Sequence, residues 1–229
     1  MGIILNIDTS SEVCSACIAE NGHILVENNE LSGNQHASRL AGIISGLFDD
    51  IGMTVNDISA IALSGGPGSY TGLRIGASVA KGLCYGLDRP LMSVPTLRSL
   101  AAQMSTLCPD PDGIYIPMID ARRDDVFMAI YDFDNNLIRK DTFATVNSEF
   151  LDNLTCYNVK NIYFGGSGSS KVRKIASGEK FGTVIENVIC LATNINMISY
   201  KFFDEKIFSD ISQYEPFYLK DFEGRMKFK

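Results

Sequence analysis

Four groups of residues in this chain have types and spacings that could carry chemistry. The longest is Ser64-Gly65-Gly66-Pro67-Gly68-Ser69-Tyr70-Thr71-Gly72-Leu73-Arg74-Ile75-Gly76. A turn of that composition leading into a helix can receive a phosphate or other anion on backbone amides and a helix N-terminus. The glycines at 68, 72 and 76, and again at 82 and 86, also remove side chains at helical spacing, which lets a helix approach its neighbours closely. Spacing alone favours this packing reading. No Lys-Ser/Thr pair follows the glycines, so the run is not a P-loop, and it does not fit the dinucleotide fingerprint.

The second group is a pair of acids. Asp8 closes the apolar run Ile3 to Ile7, and Asp120 closes the apolar run Tyr115 to Ile119. An acid at such a corner can organise Mg²⁺, or it can simply accept backbone and hydroxyl hydrogen bonds at its turn. A second glycine turn, Gly165-Gly166-Ser167-Gly168-Ser169-Ser170, follows Ile162-Tyr163-Phe164 and could accept an adenine or a phosphate. The histidines, His23 and His36, are thirteen residues and two elements apart, which makes a shared metal improbable. Cys14 and Cys17 lie at i and i+3 of a strand-like stretch and so point to opposite faces. Buried structural thiols in a reducing cytoplasm are the favoured reading. Neither an HExxH pattern nor a plausible Ser/His/Asp set is present.

The elements that must position these residues occur twice. A strand ending at Asp8 is followed by a strand from Val13 to Ala19, a turn at Asn21-Gly22 and a strand from His23 to Glu27. A strand ending at Asp120 is followed by one from Val126 to Phe133, a turn through Asp134-Asn135-Asn136 and one from Leu137 to Thr142. Helices and strands alternate after each meander. Leu40, Ile43, Ile44, Leu47, Phe48 and Ile51 recur at helical spacing from about Gln35, and Gly52 is placed to end that helix. Strand Ala60 to Ser64 feeds the glycine run and a helix to about Leu87. Strand Leu91 to Val94 and a helix from Thr96 to about Met104 follow. The Pro/Gly/Asp-rich segment 107–113 sets the boundary between two related lobes, 1–108 and 109–229. The pattern predicts an α/β fold: the duplicated actin-like arrangement of the sugar kinase and Hsp70 ATPase superfamily, each lobe a mixed sheet flanked by helices.

Charge and composition narrow the function. Twenty Lys+Arg against twenty-seven Asp+Glu give a net charge of −7, which argues against autonomous nucleic-acid binding. The chain is 45% hydrophobic and 21% charged, enough to bury a core. No apolar run is long enough to span a membrane, and the N-terminus lacks a secretion signal, so a cytoplasmic protein with no membrane association is expected.

The run 64–76, continued by Ala80-Lys81-Gly82-Leu83, resembles the signature of the TsaB family, also called YeaZ. Leu5-Asn6-Ile7-Asp8-Thr9-Ser10, the Asp120-Ala121-Arg122-Arg123-Asp124-Asp125-Val126-Phe127 corner and Glu215-Pro216-Phe217-Tyr218-Leu219-Lys220 are also similar to its pattern. The motif positions are Asp8, Thr9, Ser10, Gly66, Pro67, Gly68, Ser69, Thr71, Gly72, Arg74, Gly76, Asp120 and Arg122. The resemblance implies a non-catalytic scaffold and activating subunit. Its partner would be the paralogue TsaD, which transfers a threonylcarbamoyl group to adenosine 37 of tRNAs reading codons that begin with A. A TsaE-type ATPase would join the complex. ATP and metal are then expected on the partner subunits, with no cofactor held tightly by this chain, and tRNA is met only through the complex.

TsaD holds its metal with a His-x-x-x-His pair, and the corresponding positions here are Thr96 and Leu100. Active ATPases of the superfamily usually place glycine near the first-corner acid, whereas Thr9-Ser10-Ser11-Glu12 and Ala121-Arg122-Arg123-Asp124-Asp125 contain none. The rival function is an active ATPase or phosphotransferase of the same fold, favoured by the two corner acids and the second glycine turn. For the scaffold reading, the expected partner surface is Arg39, Leu40, Ile43, Ile44 and Leu47 on the first helix with Tyr70, Thr71, Leu73, Arg74, Ala77, Ser78 and Lys81 on the glycine-rich one. The same surface could form a homodimer through the N-terminal lobe. Alternatively, the apolar arc of the first helix is all intramolecular core.

Overall fold

The computed structural model describes residues 2–31, 36–157, 159–175 and 182–219. Its first sheet contains β1 (Ile3–Asp8), β2 (Val13–Glu20), β3 (His23–Leu31), β4 (Ala60–Ser64) and β5 (Leu91–Val94), in the order β3-β2-β1-β4-β5. Its second contains β6 (Gly113–Asp120), β7 (Asp125–Asp132), β8 (Leu137–Thr145), β9 (Asn161–Gly165) and β10 (Thr183–Val184), in the order β10-β9-β6-β7-β8. Each sheet is an antiparallel meander extended by parallel strands on the far side of its first strand. This is the duplicated actin-like arrangement.

The helices are α1 (His36–Ile51), α2 (Tyr70–Leu87), α3 (Thr96–Leu107), α4 (Ser148–Leu154), α5 (Ser170–Ile175) and α6 (Ala192–Asp204). Side chains alternate across the first sheet, and each face buries its own cluster. Leu5, Ile7, Ile18, Ile61 and Leu63 pack against Leu40, Ile43, Leu47, Ala77 and Ala80 of α1 and α2. On the opposite face, Ile4, Ala60, Ala62, Met92 and Val94 pack against Ile195, Ile198 and Phe202 of α6. The C-terminal helix thus returns to the N-terminal sheet, tied by the Ser199 hydroxyl donating to Asn6 Oδ1 at 2.6 Å and the Ala192 amide donating to Ser15 Oγ at 2.8 Å. Helix α3 crosses the other way: Leu97, Leu100, Ala101 and Met104 join Tyr115, Ile119, Ala129 and Tyr131 of the second sheet. A cut at residue 108 separates the two sheets but not their helical layers.

Two strands run longer than their apolar patterns suggest. β3 continues through the polar Asn28-Asn29-Glu30, because pairing with β2 extends to Val13↔Leu31. β8 likewise continues to Thr145, opposite Asp125. The meander turns are made by left-handed residues, Asn21 (φ 51°) with Gly22 in the first and Asn135 (φ 62°) in the second. The expected helix start at Gln35 and the last residue of the C-terminal motif, Lys220, lie outside the described residues.

Candidate functional site

The glycine-rich run is divided between two jobs. Its first half seals the first corner. The Ser69 amide donates to the Ser10 carbonyl at 2.7 Å, and the Thr9 hydroxyl donates to the Gly72 carbonyl at 2.7 Å. A Cβ at Gly72 would run into the Thr9 carbonyl oxygen, one at Gly76 into Thr9 Oγ1, and one at Gly68 would stand 2.5 Å from the Ser10 carbonyl oxygen. These three glycines exist so that α2 can lie directly on the β1–β2 corner. The loop's donors are largely spent there. The Gly65 amide goes to Val94 O, the Gly66 amide to Thr96 Oγ1 and the Gly72 amide to the capping Ser69 Oγ. An anion cradle needs those amides free.

Beneath this seal, Asp8, Thr9 and Ser10 are buried. Asp8 Oδ1 accepts from the Ser10 amide at 2.8 Å and the Ser10 hydroxyl at 2.6 Å, whereas Oδ2 has no hydrogen-bond partner among the described residues. Burial pushes the Asp8 carboxyl above the usual carboxylate range, against the lowering effect of the Ser10 bonds. Thr96 has a structural task in the same layer, its hydroxyl 2.7 Å from Ser64 Oγ, and Leu100 belongs to the core on the second sheet.

The second corner is closed by charge. Lys171 of α5 is buried, and its Nζ donates to Asp120 Oδ1 at 2.7 Å and to the Asp125 carbonyl at 2.6 Å. The Arg122 amide donates to the same carboxylate oxygen at 2.6 Å, with Arg122 at φ 74°. Desolvation pushes the Asp120 carboxyl up, but the Lys171 bond, the Arg122 amide and the lysine charge outweigh it and hold the carboxyl below the usual range. The second glycine turn is packed onto β6 rather than open. The Gly168 amide donates to Met118 O at 3.0 Å, and a Cβ at Gly168 would lie 2.8 Å from Val126 Cγ1. Lys171 carries no role in the sequence reading. Its only signal is a lysine one residue after a Gly/Ser run that itself follows a strand.

The later glycines of the same helix face outward. Among the described residues, a Cβ at Gly82 or Gly86 of α2, or at Gly42 or Gly46 of α1, would meet nothing within 4 Å, and all four have an ordinary φ. The packing reading therefore holds for 68, 72 and 76 and fails for 82 and 86. Between the two helices runs a groove of about 400 Å³ lined by Ala41, Ile44, Phe48, Met53, Val79 and Leu83 among others.

The expected partner residues divide as well. Arg39, Thr71, Arg74 and Ser78 are exposed, and Tyr70 is half-buried. Leu40, Ile43, Leu47 and Ala77 are buried in the cluster against the first sheet, and Leu73 is buried beside the Gly66 turn. Ile44 is nearly covered but borders the groove. Lys81 is committed within the chain, donating to the Tyr214 carbonyl at 3.1 Å. The C-terminal motif packs on the same turn. The Phe217 amide donates to Gly65 O at 2.8 Å, and the Tyr218 ring lies 4.9 Å from that of Tyr70, which in turn accepts from Arg74 at 2.7 Å. Cys14 and Cys17 are buried with their thiols pushed up by burial to about 11 and about 12, which makes them poor nucleophiles.

Two mixed sheets of identical order, with an acid-bearing corner opening each, define the actin-like class. A Pseudomonas aeruginosa protein described as similar to peptidase YeaZ superposes with a TM-score of 0.81 over 96% of this chain and 100% of its own, at 24% identity. An Arthrobacter polyphosphate/ATP-glucomannokinase superposes at 0.53 with 9% identity over 88% of this chain and 99% of its own, which shows shared fold alone. The family model described as TsaD: tRNA N6-adenosine threonylcarbamoyltransferase matches residues 27–221. TsaB proteins of Bacillus subtilis and Escherichia coli are each 34% identical, over 137 and 150 residues, or 60% and 65% of this chain. Those matches span 58% and 64% of the relatives' own length. The chain belongs to the TsaD family, in its TsaB (YeaZ) branch.

Proposed function

We propose that this chain is a non-catalytic activating subunit in tRNA threonylcarbamoyladenosine biosynthesis, pairing through the outer face of α1 and α2 with a TsaD-type paralogue. The observation that carries the reading is the split in the glycines: one set locks α2 onto the first corner, and the other leaves a low, open surface on α1 and α2 beside an apolar groove. A paralogue built on the same fold would bring equivalent helices to that face, giving a four-helix contact with pseudo-two-fold symmetry. A second copy of this chain could use the face in the paralogue's absence.

The relatives named as tRNA threonylcarbamoyladenosine biosynthesis proteins support this reading, as do relatives named as the transferase itself, such as the Sphingopyxis alaskensis protein, 33% identical over 39% of this chain and 26% of its own length. The rival ATPase reading is disfavoured because Asp8 is fully buried and Asp120 is paired with Lys171. A TsaE-type ATPase supplies nucleotide turnover, the paralogue holds the metal, and tRNA is gripped elsewhere in the complex, in keeping with this chain's charge of −7.

The test is reconstitution by omission. The paralogue, the ATPase and the enzyme that makes the threonylcarbamoyl adenylate should modify tRNA over many turnovers with this chain and fail without it. Sustained turnover in its absence defeats the activating role.

A further inference from the structure

A cavity of about 470 Å³, within the range of small-molecule sites, opens where the end of the first sheet, the β7–β8 hairpin and the C-terminal segment meet. It plays no part in the partner surface or in either corner. Arg98, in the first turn of α3, and Asp141, on β8, both line it, together with Tyr131, Leu137, Phe217 and Ser93. The two charges do not pair: among the described residues no ion pair joins them.

Arg98 is held in place from one side. Its Nε donates to Asn135 Oδ1 at 2.9 Å, its backbone carbonyl accepts from Asn135 Nδ2 at 3.1 Å, and the guanidinium lies 5.6 Å from the centre of the Phe202 ring. Its terminal nitrogens have no partner among the described residues, and the positive end of the α3 dipole lies beside them. Asp141 is half-buried; burial pushes its carboxyl above the usual range, and among the described residues its own backbone amide is the one group that counters this. Tyr131 senses both charges. Burial pushes its hydroxyl up, the Asp141 charge adds to that, and Arg98 opposes it. A cationic and an anionic group therefore face one cavity around a shared tyrosine, each with valences unspent.

Such a site rejects ligands of a single charge. A phosphate is repelled by Asp141, and an amine by Arg98. A ligand carrying both charges on one small frame satisfies the two walls together, and the half-exposed Leu137 and Phe217 supply apolar contact for a side chain. We propose that this cavity is a binding site for a free α-amino acid, its carboxylate received by Arg98 and its ammonium by Asp141, with an apolar side chain against Leu137 and Phe217.

The test uses the purified full chain and calorimetric titration with the set of standard amino acids. At least one amino acid with an apolar side chain should bind with a Kd of about 0.1 mM. Its amine analogue, lacking the carboxylate, and its deaminated acid should each bind about tenfold more weakly or worse. Asp141→Asn and Arg98→Lys should weaken binding to a similar degree, and Asp141→Asn, nearly isosteric, should keep the melting transition. The proposal is overturned if no amino acid binds at about 10 mM, or if binding survives both substitutions unchanged. Because this readout needs no paralogue, its failure leaves the activating role untouched, and failure of that role leaves the cavity's result standing.

Discussion

At the first corner, Asp8 is fully buried, carries one carboxylate oxygen without a hydrogen-bond partner among the described residues, and precedes Thr9 and Ser10, onto which three glycines bring α2. At the second, Asp120 keeps 49% of its side chain in solvent and is neutralised by a buried lysine from the same half of the chain. The two corners begin from the same sequence device, an acid closing an apolar strand, and are filled by different physics. Packing fills one, so its carboxyl is raised by desolvation. Charge fills the other, so its carboxyl is lowered by an ammonium. Each corner is thus closed from within the chain, one by a helix laid against it and the other by a lysine from α5.

Substitutions can break this comparison in order of expected effect. Gly72→Ala should cost the most, about 3 kcal/mol, because the new Cβ meets a backbone carbonyl that cannot rotate away. A thermal melt should show it, with a fall in Tm of roughly 6–12 °C. If Gly72→Ala melts like the parent, the first corner is not sealed by close packing.

Lys171→Met should cost about 1 kcal/mol at neutral pH, having removed the ammonium from Asp120 and the donor from Asp125 O. The pH dependence gives the sharper signature. A carboxyl held low in the fold contributes stability that is present above its ordinary range and lost as pH falls through the depressed folded value. The gap between parent and variant should therefore close in acid, and a gap independent of pH would mean that the lysine acts by packing alone.

Asp8→Asn should show the opposite sign. Asp8 is raised in the fold, so its ionisation leaves the fold unpenalised below the ordinary carboxylate range and weakens it as pH rises through the folded value. The variant should become more stable relative to the parent as pH rises from about 4 to 8, and a variant that loses ground with rising pH would mean that the carboxylate is paired after all. The smallest effect belongs to the outward set: Gly82→Ala should stabilise by about 0.5–1 kcal/mol, since an exposed helical glycine with open space gains from a methyl group. A loss of stability there would place Gly82 in an intramolecular contact.

Much of this was legible in the residues. The repeat of strand, acid, meander and glycine turn gave both sheets, because period-2 runs and turn residues are local signals. The first-corner seal was half legible: glycine spacing pointed to close approach, but only the fold shows that 68, 72 and 76 meet Thr9 and Ser10 whereas 82 and 86 meet nothing. The crossing of α3 and α6 was not legible, since Ile195, Ile198 and Phe202 mark a buried helical face without saying which sheet buries it. For the same reason the apolar arc of α1 did not say which of its residues are core. Leu40, Ile43 and Leu47 are core, and the exposed ridge beside them is made of small residues that carry no hydropathy signal. Lys171 was invisible because a lysine near a glycine turn reads as a solvated charge until its ammonium is found buried.

The measurement that tests the account most directly sets surface against corner in one reconstituted tRNA-modification assay. Gly82→Arg, placed in open space, should stay folded yet abolish paralogue binding and modification, while Asp8→Asn and Lys171→Met, once shown to be folded, should sustain parental turnover. If instead the corner variants lose modification and Gly82→Arg keeps it, the chain works through its cleft and not through its helical face, and the account is wrong.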